Sequence, residues 1–200
     1  MINALLLALL VIECIGCKNA AVQEEQKPDI PLIESRFTLM SPEETGVSFS
    51  NDIKEDFNYN NFVFEYIYNG GGVATGDVNG DSLPDLYFSA SLLSNKLYIN
   101  LGQLKFLDVT DVAGVGLNTG FKTGVTMADV NGDGRLDIYS CRTSKSSDET
   151  NADLLYINMG NRLENGVQMP VFEEQSRKLG INDNKNTNHN CFFDFDRDGD

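Results

Sequence analysis

Two hundred residues, 41% of them hydrophobic, are enough for one ordinary domain with a real core, so the chain is not a disordered acidic tail. Asp and Glu number 30 against 15 Lys and Arg, a formal net charge of -15. Such a surface repels polyanions, no basic patch is segregated along the chain, and the composition argues against a nucleic-acid partner and for cations as counter-species.

The chain opens with an apolar run from Ile2 to Ile12. It is shorter than the roughly 20 residues needed to cross a bilayer and reads as the hydrophobic region of a signal peptide. Ile15-Gly16-Cys17 follows and resembles the lipobox of bacterial lipoproteins, which implies cleavage before a diacylated Cys17. The match departs from that pattern in having Cys14 three residues before Cys17, Glu13 inside the run and no Lys or Arg in Met1-Ile2-Asn3. Residues 18–36 are polar and contain Pro28 and Pro31, as suits an extended tether. Of the cysteines beyond the signal, Cys141 and Cys191 lie 50 residues apart and give no disulfide framework, so two buried free thiols are expected.

Self-comparison organises the remainder. Gly76-Asp77-Val78-Asn79-Gly80-Asp81-Ser82-Leu83-Pro84-Asp85 is followed by Lys96-Leu97-Tyr98-Ile99-Asn100, then by Phe106-Leu107-Asp108 and Gly114-Val115. The same order returns as Asp129-Val130-Asn131-Gly132-Asp133-Gly134-Arg135-Leu136-Asp137, Leu155-Tyr156-Ile157-Asn158, Phe172-Glu173-Glu174 and Gly180-Ile181. A third copy opens at Phe193-Asp194-Phe195-Asp196-Arg197-Asp198-Gly199-Asp200. The Asp-to-Asp offsets, 52 residues (77 to 129) and 65 residues (129 to 194), are those of a propeller blade rather than a helical solenoid. Each unit reads as four short strands, in the first near 72–77, 84–89, 96–101 and 104–109, and no segment has a convincing helical period. The added length of the second unit, between Asp137 and Leu155 and between Leu155 and Phe172, is polar and predicts loops. Phe37-Thr38-Leu39 with Gly46-Val47 echoes the closing Phe and Gly-Val motifs and predicts an outer strand in a pre-propeller segment, residues 37–69, ahead of repeats at 70–200.

Asp77, Asn79, Asp81 and Asp85 stand at positions 1, 3, 5 and 9 of a nine-residue loop, and Asp129, Asn131, Asp133 and Asp137 repeat the spacing. Converging carboxylates repel one another, and a hard cation with oxygen ligands relieves that repulsion; Ca2+ suits such crowded all-oxygen sites better than Mg2+. The backbone carbonyls of Leu83 and Arg135, at position 7, would add a ligand each. An EF-hand is excluded because position 12 is Phe88 in one loop and Ser140 in the other, and because the flanks read as strands. The alternative is an Asp- and Gly-rich hairpin turn without metal.

These units resemble FG-GAP/VCBS repeats, the calcium-loop blades of integrin α-subunit propellers and of many bacterial surface proteins. More narrowly, Tyr68-Asn69-Gly70-Gly71-Gly72-Val73-Ala74-Thr75-Gly76-Asp77-Val78-Asn79, Leu97-Tyr98-Ile99-Asn100 and Phe192-Phe193-Asp194-Phe195-Asp196 resemble Bacteroidetes envelope lipoproteins that carry VCBS repeats and an ASPIC/UnbV domain related to cartilage acidic protein. The resemblance covers about residues 37–200. It implies an all-β propeller of four-stranded antiparallel blades, incomplete here, with Ca2+ at the loop residues named and, in the third copy, at Asp194, Asp196, Asp198 and Asp200. A closed ring needs four or more blades, so the chain reads as part of a longer protein.

The function this predicts is a calcium-rigidified binding or scaffold module for glycan or protein, held by lipid at Cys17 on the outer membrane or cell surface. The alternative is the non-catalytic part of a larger polysaccharide-active envelope enzyme. Catalysis is not expected within these residues: His189 is the one histidine, and there is no Gly-x-Ser-x-Gly elbow or His/Cys constellation.

Overall fold

A computed structural model of the chain describes residues 36–117, 119–143, 151–182 and 184–196. Cys17, Asp198 and Asp200 lie outside the described residues. From Leu39 onward the chain forms one unit built on two four-stranded sheets. The first contains β1 (Val73–Gly76), β2 (Asp85–Phe88), β3 (Lys96–Asn100) and β4 (Phe106–Asp108); the second contains β5 (Phe121–Ala128), β6 (Asp137–Thr143), β7 (Leu154–Glu164) and β8 (Val167–Glu174). Both are antiparallel meanders in sequential order. They are two consecutive blades of an all-β, propeller-like fold whose ring is not closed.

Burial follows from the residue pattern. β3 places Leu97, Tyr98, Ile99 and Asn100 almost wholly out of solvent, and Tyr87, Val109 and Val115 join Leu97 and Ile99 in one core with Val125, Ile138, Tyr156, Met169 and Phe172 of the second blade. The core therefore lies between the blades rather than within either. At this seam a Cβ on Gly72 would stand 2.8 Å from the Val125 nitrogen, so only glycine allows the approach of the two innermost strands. A smaller core joins Phe64, Ile67 and Phe121 and anchors part of the segment before the first blade.

Three expectations are corrected here. Residues 37–47 form no strand: Pro42–Thr45 is a helical turn, α1, with a capping box between Ser41 and Glu44 and a left-handed Gly46 at its end. Thr110–Ala113 forms a matching turn, α2, closed by Gly114, and Gly180 is left-handed at the corresponding place in the second blade. The Phe and Gly-Val echo thus marks a recurring helical turn, stopped by glycine before a helical period can develop. The insertion between Leu155 and Phe172 is not a loop but a lengthened β7–β8 hairpin, turning at Asn165 (φ 50°) and Gly166 (φ 81°), the Asn-Gly pair that suits a two-residue hairpin connection. Finally, both Cys141 and Cys191 are free, yet only Cys141 is buried; Cys191 is exposed.

Candidate metal centre

Each Asp-rich loop is a hairpin connection: Asp77–Pro84 joins β1 to β2, and Asp129–Leu136 joins β5 to β6. The position-9 aspartates open the outgoing strands, where Asp85 pairs with Gly76 and Asp137 with Ala128. Their environments correspond atom for atom. Asp85 accepts from the backbone nitrogens of Val78 at 2.9 Å and Asn100 at 2.8 Å; Asp137 accepts from those of Val130 at 3.1 Å and Asn158 at 2.7 Å. Both are buried. Burial pushes the Asp85 carboxyl up to about 6 against those two hydrogen bonds, and the charges of Asp81 and Asp77 push it the same way. Asp137 is likewise raised, by burial first and in part by Asp133 and Asp129.

Position 1 gathers the turn. Asp77 accepts from the nitrogens of Gly80 at 2.7 Å, Asp81 at 3.1 Å and Ser82 at 2.7 Å, and Asp129 accepts from Asp133 at 3.1 Å and Gly134 at 2.7 Å. Those amides hold the Asp129 carboxyl below the usual range. Position 3 accepts from the position-5 nitrogen in both loops, Asn79 from Asp81 and Asn131 from Asp133, at 3.1 and 3.0 Å. Position 5 accepts from the position-7 nitrogen, Asp81 from Leu83 and Asp133 from Arg135. The odd-numbered residues thus wind the backbone around themselves, with left-handed residues at positions 4 and 6: Gly80 and Ser82, Gly132 and Gly134.

Among the described residues, no three His, Cys, Asp or Glu side chains stand together as a group able to hold a metal ion. The donor set nevertheless fits a hard cation by its chemistry, since carboxylates, an asparagine oxygen and a backbone carbonyl are the ligands calcium loops draw on. Of the third copy, Asp194 and Asp196 are described and both are exposed, apart from any strand.

Two asparagines that spacing arguments overlooked complete the site. Asn100 holds Asp85 through its own backbone nitrogen, donates its side chain to the Pro84 carbonyl at 3.0 Å and accepts from Gly102. Asn158 does the same in the second blade, with the Leu136 carbonyl and Gly160. The repeated Leu-Tyr-Ile-Asn-x-Gly motif was the visible trace of this back wall.

The loops differ in their cover and in their charged neighbours. The first is covered by the second blade: Asn158 and Asn161 donate to the carbonyls of Val78 and Asn79, and Asn79 is 5% exposed. Asn131 and Asp133 in the second loop are exposed, and the Arg135 guanidinium bonds the Asp133 carboxylate while its Nε donates to the Asn158 carbonyl at 3.0 Å.

Residues 77–140 match the family model described as an FG-GAP-like repeat, a span that contains both loops, and the match supports the FG-GAP repeat family for these blades. No curated protein matches the chain significantly.

Proposed function

We propose that each Asp loop binds one Ca2+, the first through Asp77, Asn79, Asp81, Asp85 and the Leu83 carbonyl, the second through Asp129, Asn131, Asp133, Asp137 and the Arg135 carbonyl. The observation that carries this reading is the recurrence, in two loops 52 residues apart (77 to 129), of the same hydrogen-bond frame around the same oxygen donors. A bound ion would supply charge neutralisation and a cross-link, fixing a turn whose carbonyls are the acceptors for the neighbouring blade. The module is then a brace for display rather than a catalyst. Anchored by lipid at Cys17 on the outer membrane or cell surface, it would present its loops to a glycan or protein.

Calorimetric titration with Ca2+, paired with thermal unfolding with and without a chelator, tests the metal reading. Saturable binding that raises Tm and is weakened by Asp129→Ala is expected; a protein indifferent to both Ca2+ and chelator overturns it. Membrane fractionation tests the anchor, with Cys17→Ser expected to release the protein.

A further inference from the structure

The hairpin arm that lengthens the second blade lies against the first Asp loop. Beyond the bulge after Asn158, β7 and β8 pair again from Asn161 with Pro170, through Arg162 with Met169 and Leu163 with Gln168, to Glu164 with Val167. In the first blade, β3 and β4 are joined by residues 101–105 with no such extension. Asn161 donates from Nδ2 to the Asn79 carbonyl at 2.6 Å, and the Asn79 Nδ2 donates back to the Gln168 carbonyl at 3.4 Å. Met169 of the same arm belongs to the core shared by the blades, and Val167 packs against that core. One arm thus touches the loop of the first blade and the seam between both.

Asn79 is the contact on the loop side, and its carboxamide has two unlike ends. The oxygen is the position-3 donor of the loop and accepts from the Asp81 nitrogen at 3.1 Å; the nitrogen donates to the Asp81 carboxylate at 3.0 Å and to the arm. Commitment of that oxygen and of the Asp81 carboxylate to a cation leaves the Gln168 carbonyl as the partner of the nitrogen, which strengthens the hold of the arm. Conversely, an arm in place fixes the orientation of the amide before an ion arrives. The equivalent Asn131 of the second loop is exposed and, among the described residues, receives no hydrogen bond from another blade.

We infer that the β7–β8 arm and the first loop are coupled: Ca2+ in that loop and docking of the arm stabilise each other, so that metal occupancy sets how firmly the second blade grips the first. This rests on the calcium reading proposed above and adds a controlled element to it. Reciprocity follows from linkage, because a contact that is stronger with the ion bound must raise affinity for the ion by the same factor. One hydrogen bond supplies a factor of roughly five to ten.

The test uses the full chain and Ca2+ alone, with two readouts: calorimetric affinity of the first loop, recognised as the step that Asp77→Ala removes, and amide hydrogen exchange across residues 161–170. Adding Ca2+ should slow exchange in the arm about fivefold or more. Asn161→Ala should weaken the first loop's step about fivefold and leave the second loop's step unchanged, since Asn161 lies outside both sets of oxygen donors. Arg162→Ala, an exposed change on the same arm, should alter neither step. The exchange measurement needs no substitution and stands even where a variant fails to fold. Ca2+ that binds while arm exchange stays as it was, or an Asn161→Ala affinity equal to that of the parent, overturns the coupling and leaves the metal reading standing. Slowing that persists in Asp77→Ala would assign control to the second loop and overturn the coupling as well. No saturable Ca2+ binding overturns both.

Discussion

The side-chain amide of Asn158 donates a 2.8 Å hydrogen bond to the carbonyl of Val78, 80 residues earlier and one blade away. The same amide reaches the Leu136 carbonyl at 3.2 Å, and its oxygen accepts from Gly160, so one buried side chain closes its own blade's loop and grips the preceding one. Asn100 makes only the contacts within its blade. Asn158→Ala should therefore cost roughly 3 kcal/mol and Asn100→Ala roughly 1 to 2 kcal/mol, on the scale of buried hydrogen bonds lost with their partners left unpaired. Urea unfolding of the two variants checks this. Equal losses would mean that the grip between blades contributes nothing.

Ser82 stands at φ 71°, where the second loop has Gly134 at φ 83°. A left-handed conformation costs a residue with a Cβ about 1 to 2 kcal/mol, offset in part by the greater freedom glycine loses on folding. Ser82→Gly is expected to stabilise by about 0.5 to 1 kcal/mol, and Gly134→Ser to destabilise by a similar amount. Both are read from denaturation midpoints at constant slope.

The blades were legible because their chemistry is local: alternating Leu97, Ile99 and Phe106 and the Asp spacing prescribe short strands and tight turns without reference to anything distant. The contacts that decide the arrangement are not local. Nothing in the neighbourhood of Asn161 says that its amide will lie 2.6 Å from the carbonyl of Asn79. Polarity between Leu155 and Phe172 implied a loop, while the Asn165-Gly166 pair carried the opposite message, an extended hairpin arm. That arm brings Asn161 and Gln168 onto the first loop, and Asn79 donates to the Gln168 carbonyl at 3.4 Å. The placing of Phe49 and Asn51 was likewise unreadable, since the first stacks on Phe88 and the second accepts from the Ser91 nitrogen, neither a neighbour in sequence.

The two loops should differ as calcium sites. The first has its backbone held in advance by Asn158 and Asn161, whereas in the second the Arg135 guanidinium occupies the carboxylate of Asp133. Pre-organisation and the lack of a cationic competitor, Asp81 being met by the neutral Asn79 amide at 3.0 Å, both favour the first, so titration should resolve two steps about tenfold apart, and Asp77→Ala should abolish the tighter. Arg135→Leu, which copies Leu83 of the first loop, should strengthen the weaker step several-fold by the same reasoning. Identical steps unaffected by Arg135→Leu would show that the guanidinium does not compete.

Lys122 on β5 is fully buried, faces Arg142 across the β5–β6 register and, among the described residues, donates to the Gly120 carbonyl at 3.3 Å. Burial first, and the charge of Arg142 second, push its ammonium down to about 8 from an ordinary value of 10.5. The sign follows from proton binding. Above pH 10.5 neither state holds the proton and no penalty exists; between 10.5 and 8 the unfolded chain is protonated while the folded one is not, so stability falls as pH falls; below 8 the folded state bears the whole penalty. At about 1.4 kcal/mol per unit this amounts to about 3 kcal/mol at neutral pH. Lys122→Met, of similar length and without charge, should thus stabilise the protein by about 3 kcal/mol at pH 6 to 7, and its advantage should shrink steadily as unfolding is measured at pH 8, 9 and 9.5. A gain that stayed constant with pH would mean that packing, not charge, separates the two side chains.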